Sequence, residues 1–253
     1  MVRPDNSETL AAMHTTEAIE ERIAAVGQHS YLGDFVLGAV DGTVTTFAIV
    51  AGVAGAGLPS GVAVVLGLAN VAADGFSMAS SSFLKARADR QVVERFRRME
   101  ELHIDEVPDA EREEIRHIFA GKGFDGELLE DVVHVITNDR RRWVDTMLTE
   151  EWGLQLDAPS PIKSAITTFV AFVLAGLVPL VPLFAAMWLH SEHLFLASSV
   201  LTGLTFFAIG FVRGLVTGDN AWLSAIETLA IGGGAAALAY FTGAWLQEQT
   251  GTQ

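Results

Sequence analysis

The sequence contains no cysteine. Disulfides, thiolate metal sites and a cysteine nucleophile are excluded, and the compartment is left open. Basic residues are scarce: 16 Lys+Arg stand against 31 Asp+Glu, for a formal net charge of −15. A phosphate backbone needs a basic face, so nucleic acid is not expected as a partner. An acidic balance suits a cationic ligand, although solubility alone also explains it. Proline is limited to 7 residues, and none falls between Ser60 and Asp105. The first thirty residues lack an apolar run and carry Asp5, Glu8, Glu17, Glu20 and Glu21. That is not the pattern of a secretory signal. There is no nucleophile–base arrangement and no phosphate-binding loop, so neither an enzyme nor an ATP-driven pump is expected.

What the sequence does have is apolar content in blocks, half of all residues with a mean hydropathy of +0.36. This is the signature of an all-α integral membrane protein. The organising stretch runs from Ser60 to about Asp105 and reads as one helix in two solvents. Residues 61–83 are small and apolar, and from Lys85 onward the stretch is polar. At ~1.5 Å per residue it would be roughly 65–70 Å long, about twice a hydrocarbon core. Its first half suits lipid and its second half suits water.

Around it the sequence predicts five spans and an insert. Residues 1–30 are a polar tail; Glu8–Val26 is read either as an amphipathic helix or, preferably, as a solvated tail. Residues 31–84 hold spans one and two, an antiparallel hairpin turning at Leu58–Ser60. Span one runs from Phe35 to Gly57, with Gly38–Gly42 and Gly52–Ala56 at the spacing that lets backbones approach closely. Residues 85–160 form a soluble helical bundle between spans two and three. Its expected helices are Asp109–Ala120, capped by Asp109 after the Pro108 break, then Glu127–Thr137 and Asp139–Trp152. Residues 161–247 hold spans three to five: Ile162–Leu189, kinked by Pro179 and Pro182, then Leu194–Val216 and Ala221–Leu246. Gly232–Gly234 offers a close contact in span five.

Basic residues near span ends set orientation. Lys85, Arg87, Arg90, Lys163 and Arg213 mark one side, while Gly57–Ser60 and His190–His193 lack Lys and Arg. The insert and N-terminus are therefore expected in the cytoplasm and the C-terminus on the far side.

Ionisable groups at membrane depth are costly and mark candidate sites. Asp41 lies inside span one and Asp74 inside span two. Asn70, Asp74 and Met78 are spaced i, i+4, i+8 and share a face. Two oxygen ligands with a thioether suit a borderline divalent metal better than Mg²⁺ or Ca²⁺. The competing readings are helix packing for Asp41 and core filling for Met78. Glu227 reads equally as solvated or functional, and Arg213 as an interfacial anchor. In the insert, Glu100 with His103, and Glu111 with Glu114, are i, i+3 pairs, and Met147 precedes Glu151 by one turn. Carboxylate-bridged metal sites in helical bundles are built this way. A solvated charged helix is the equally weighted alternative.

The runs Asp41–Gly42 with Thr45–Ala56, Gly67–Leu84, Val107–Ile115, Met147–Leu154 and Gly176–Phe184 resemble the vacuolar iron transporter family, which includes the nodulin-21-like proteins. The match covers about Tyr31 to Leu246. The resemblance implies a homodimer of five-span subunits with a path between them and a cytoplasmic domain that gathers metal. It implies export of Fe²⁺, sometimes Mn²⁺, from the cytosol in exchange for protons. Asp41 and Met78 match the family's membrane aspartate and methionine; Glu100, Glu111, Glu114, Met147 and Glu151 match its metal-binding positions. Two positions depart. Asn70 stands where the family has a glutamate, and an amide ligates metal but carries no proton, so Asp74 is the candidate substitute. His103 stands where a glutamate is expected, and imidazole remains a good ligand for Fe²⁺, Mn²⁺ or Zn²⁺.

The expectation is a divalent-metal exporter with no prosthetic group, whose partners are a second copy, the bilayer, the metal ions and protons. Its membrane would be the plasma membrane of a prokaryote or the vacuolar membrane of a eukaryote. Two rivals remain: a membrane-anchored iron oxidase or storage module, and a metal sensor.

Overall fold

The expected spans are visible as helices in a computed structural model, which describes residues 14–25, 30–185 and 193–251. All regular structure among these residues is helical. In chain order the elements are α1 (Thr16–Ala25), α2 (Leu32–Gly55), α3 (Ser60–Glu106), α4 (Pro108–Gly121), α5 (Gly126–Thr137) and α6 (Arg140–Glu150). There follow α7 (Pro161–Leu177), a 3₁₀ turn (Val178–Leu180), α8 (Val181–Ala185), α9 (Leu194–Thr217) and α10 (Ala221–Thr250). Five helical segments are long and apolar enough to cross a membrane: α2, α3, α7 continued through α8, α9 and α10. The protein is thus an all-helical membrane protein. The tail helix expected over Glu8–Val26 is helical from Thr16 to Ala25; His14 and Thr15 before it are a turn and a bend, and the remaining residues lie outside the described ones. The end of span three, 186–189, also lies outside them.

The chain forms two compact units. The first contains Ser30–Phe83 and the chain from Pro161 onward. At its centre α2 packs against α7, α9 and α10. Glycine makes this possible. A Cβ at Gly38 or Gly42 would collide with the backbone carbonyls of Thr168 and Phe172 on α7, and one at Gly55 with that of Tyr240 on α10. In lipid, close backbone approach of this kind replaces the hydrophobic drive for helix association. Of the Gly232–Gly234 run, only Gly232 makes a close contact, beneath the ring of Phe206; the other two face open space. The span-three prolines produce the expected break, a 3₁₀ turn at Val178–Leu180. Ser198 of α9 donates to the Pro179 carbonyl at 2.6 Å and satisfies it inside the bundle. The membrane half of α3 buries Ala63, Gly67, Val71 and Gly75, a stripe one helical turn apart, and Ser82 two turns further on.

The second unit contains α1 and Leu84–Ser160. Val107 takes an extended φ of −136° before Pro108, which opens α4 as its first residue. The residue before proline disfavours the helical region, so α3 ends there. The expected cap by Asp109 is not formed; Asp109 pairs with Arg112 instead, since it already lies inside the helix that Pro108 begins. Asp139 does cap α6, accepting from the Arg142 backbone N–H at 2.9 Å. The apolar centre comprises Ile104, Ile115, Leu129, Val133, Ile136, Trp143, Val144, Met147 and Leu148. Polar residues of the long helix and α4 flank this centre.

Candidate metal centre

Glu100 and His103 stand one turn apart near the end of α3, and Glu111 stands in the first turn of α4. The Pro108 break folds α4 back so that all three converge. One ligand atom from each lies within 4.8 Å of the others. His103 Nδ1 is 3.3 Å from Glu111 Oε1. Glu100 and Glu111 are 1% and 2% exposed, unusual for carboxylates. The Oε2 atoms of both are buried without a hydrogen-bond partner. Buried ionised oxygens without donors are costly. A proton held between the two carboxyls, whose ligand atoms lie within 4.8 Å of each other, would supply a partner. A metal cation supplies it equally well.

The electrostatics agree. Burial first, then Glu100, Glu114 and Glu151, push the Glu111 carboxyl up to about 7. Glu151 is also pushed up to about 7, by burial and then by Glu100 and Glu114. Glu114 and Glu151, both exposed, thus add their repulsion to that of Glu100 on Glu111, while the ligand atoms that converge are those of Glu100, His103 and Glu111. Met147 is fully buried within the apolar cluster. His117 lies on the surface beside Glu113, and His134 is also exposed. One contributor escaped sequence reading: Trp152, whose indole N–H donates to Glu100 Oε1 at 2.8 Å. A tryptophan after a helix carries no signal of its own.

In the membrane unit, Asp41, Asn70, Asp74 and Met78 are all half-buried. Asp41 and Asp74 are close enough for their charges to interact. Asn70 Nδ2 donates to Thr45 Oγ1 at 3.1 Å, and Thr45 donates on to the Asp41 carbonyl at 2.9 Å. This chain joins α2 to α3 and leaves the Asn70 carbonyl oxygen available as a ligand. Asp34, missed in the sequence, is seven residues before Asp41 and so on its face; its Oδ2 is buried without a partner. Arg213 pairs with Glu227 and donates to Ser224 at 3.0 Å, tying α9 to α10. Glu227 is therefore half of an ion pair rather than a lone carboxylate.

Comparison with known proteins agrees with this architecture. A family model described as the VIT family matches residues 32–244. "Vacuolar iron transporter 1" of Tulipa gesneriana is 35% identical over 82% of this chain and 83% of its own length. "Vacuolar iron transporter 1" of Oryza sativa subsp. japonica is 34% identical over 91% of this chain and 90% of its own. "Vacuolar iron transporter" of Toxoplasma gondii is 35% identical over 87% of this chain and 76% of its own. With matches of this extent across the helices that carry both groups of candidate residues, the chain belongs to the VIT family, a family of transporters and not of enzymes.

Proposed function

We propose that this protein transports divalent metal, with Fe²⁺ as cargo and Mn²⁺ as an alternative, out of the cytosol in exchange for protons. The observation that carries the reading is the double load on α3. The same continuous helix bears Asn70, Asp74 and Met78 in its apolar half and Glu100 and His103 in its polar half. Capture begins at Glu100, His103 and Glu111, assisted by Glu114 and Glu151. These groups lie in the insert, which this reading assigns to the cytoplasm. Met147 closes the site from its apolar side. Zn²⁺ also suits the mixed nitrogen and oxygen donors. Asp41, Asp74, Asn70 and Met78 then form the membrane path, at the interface of a homodimer. Protons arriving from the far side neutralise Asp41 and Asp74 and release the ion. Asn70 cannot take a proton, so Asp74 carries the coupling. The iron transporter names of the relatives support the cargo, and the costly membrane carboxylates support transport over storage or sensing.

The test is metal flux in proteoliposomes under an imposed pH gradient, with Fe²⁺ and Mn²⁺ entry followed by an internal quenched dye. Gradient-driven flux is expected in the wild type. It should be lost in Asp41→Ala and should lose its pH dependence in Asp74→Asn. Metal binding without flux in the wild type refutes transport and favours the sensor or storage reading.

A further inference from the structure

We propose that Trp152 is a positioning residue of the metal centre, holding one oxygen of Glu100 so that the other is presented to metal. The inference rests on the capture reading above. Glu100 is almost wholly buried, and its two oxygens have different surroundings. Oε1 receives the Trp152 indole N–H at 2.8 Å, whereas Oε2 has no partner. A carboxylate held in this way cannot rotate freely and offers one defined oxygen to a cation.

The indole is itself fixed by the way α6 ends. The backbone N–H groups of Glu151 and Trp152 both donate to the Met147 carbonyl, at 3.0 and 3.3 Å. Gly153 then takes a φ of +62°, a conformation that favours glycine, and Leu154 N–H returns to the Leu148 carbonyl at 2.9 Å. The turn sets Trp152 against α3, where its ring packs on Phe96 with centroids 4.5 Å apart. Phe96 is one turn before Glu100 on the same helix. This tilted ring contact, at 44° between the planes, places the indole, and the indole places the N–H. Trp152 is 40% exposed, so it is not there to fill a core. A phenylalanine would cover Phe96 as well; only the indole adds a donor. Hydrogen bonds to metal-ligating carboxylates orient the ligand, and their removal costs roughly 10–100-fold in affinity.

The experiment compares full-length wild type, Trp152→Phe and Trp152→Ala in detergent, with Mn²⁺ alone as the probe and free Mn²⁺ read by electron paramagnetic resonance. Trp152→Phe keeps the ring and loses the donor. It should bind Mn²⁺ about 10–100-fold more weakly while its metal-free melting temperature stays at the wild-type value. Trp152→Ala should lose no more affinity than that. In ¹⁵N-labelled wild type, the indole resonance absent from Trp152→Phe should shift when diamagnetic Zn²⁺ is added. Wild-type affinity in Trp152→Phe overturns the proposal. Weakening confined to Trp152→Ala also overturns it, because the residue then only packs. If the wild type binds no Mn²⁺ or Zn²⁺, the capture reading fails and this inference with it.

Discussion

Replacing Glu111 by Gln should stabilise the metal-free protein at pH 8 and leave it with little response to metal. Burial and the neighbouring carboxylates move the Glu111 carboxyl from the ordinary 4.5 to about 7. At about 1.4 kcal/mol per tenfold change in proton affinity, that displacement corresponds to about 3 kcal/mol held against the ionised form. The folded protein binds this proton more tightly than the unfolded chain does. The stability contributed by the group is therefore fully present below about pH 4.5 and lost as pH rises through about 7. At pH 8 the wild type carries the whole penalty and Glu111→Gln carries none. The assay is thermal unfolding in detergent from pH 5 to pH 8, with and without Mn²⁺. Metal-free wild type should lose stability across this range, and Glu111→Gln should lose less and exceed it at pH 8. Mn²⁺ should raise the wild-type melting temperature at pH 8, where the carboxylates are ionised, and raise that of the variant little. The reasoning is refuted if metal-free Glu111→Gln is less stable than wild type at pH 8, or if Mn²⁺ stabilises both equally.

His103→Glu makes the donor set all-oxygen, so competition binding should show preference moving from Fe²⁺ and Zn²⁺ toward Mn²⁺; an unchanged ranking would mean that His103 does not ligate. Gly42→Ala drives a methyl into the Phe172 carbonyl, which should cost about 1–3 kcal/mol, read as a lower melting temperature in detergent. Gly234→Ala, facing open space, should change stability little and serves as the control.

Much of this molecule was legible in one dimension. Apolar blocks with few charges leave a segment little choice in lipid, where every backbone group must be satisfied within the helix. The five spans and the uninterrupted α3 follow from that alone. Proline has a fixed backbone torsion and no N–H, so the breaks at Pro108 and Pro179 were also local facts. Helical spacing placed Glu100 with His103, and Asn70 with Asp74 and Met78, because neighbours on a face depend only on the helical repeat.

What spacing cannot give is the meeting of different helices. Only the fold brings Glu111 of α4 to Glu100 and His103 of α3, strips two carboxylate oxygens of partners and raises the proton affinity of Glu111. Only the fold joins Asn70 to Thr45, pairs Arg213 with Glu227, and leaves Gly232 in contact while Gly233 and Gly234 have none. Trp152 shows the difference most directly. Its sequence neighbours mark a helix end, and its role depends on a ring of another helix 4.5 Å away. The sequence by itself determined which segments are helices and which residue types they carry, because the solvent and the backbone act on each segment locally. The tertiary structure alone decided which carboxylates share a space and which oxygens are left open, because burial and repulsion arise between segments that the chain keeps far apart.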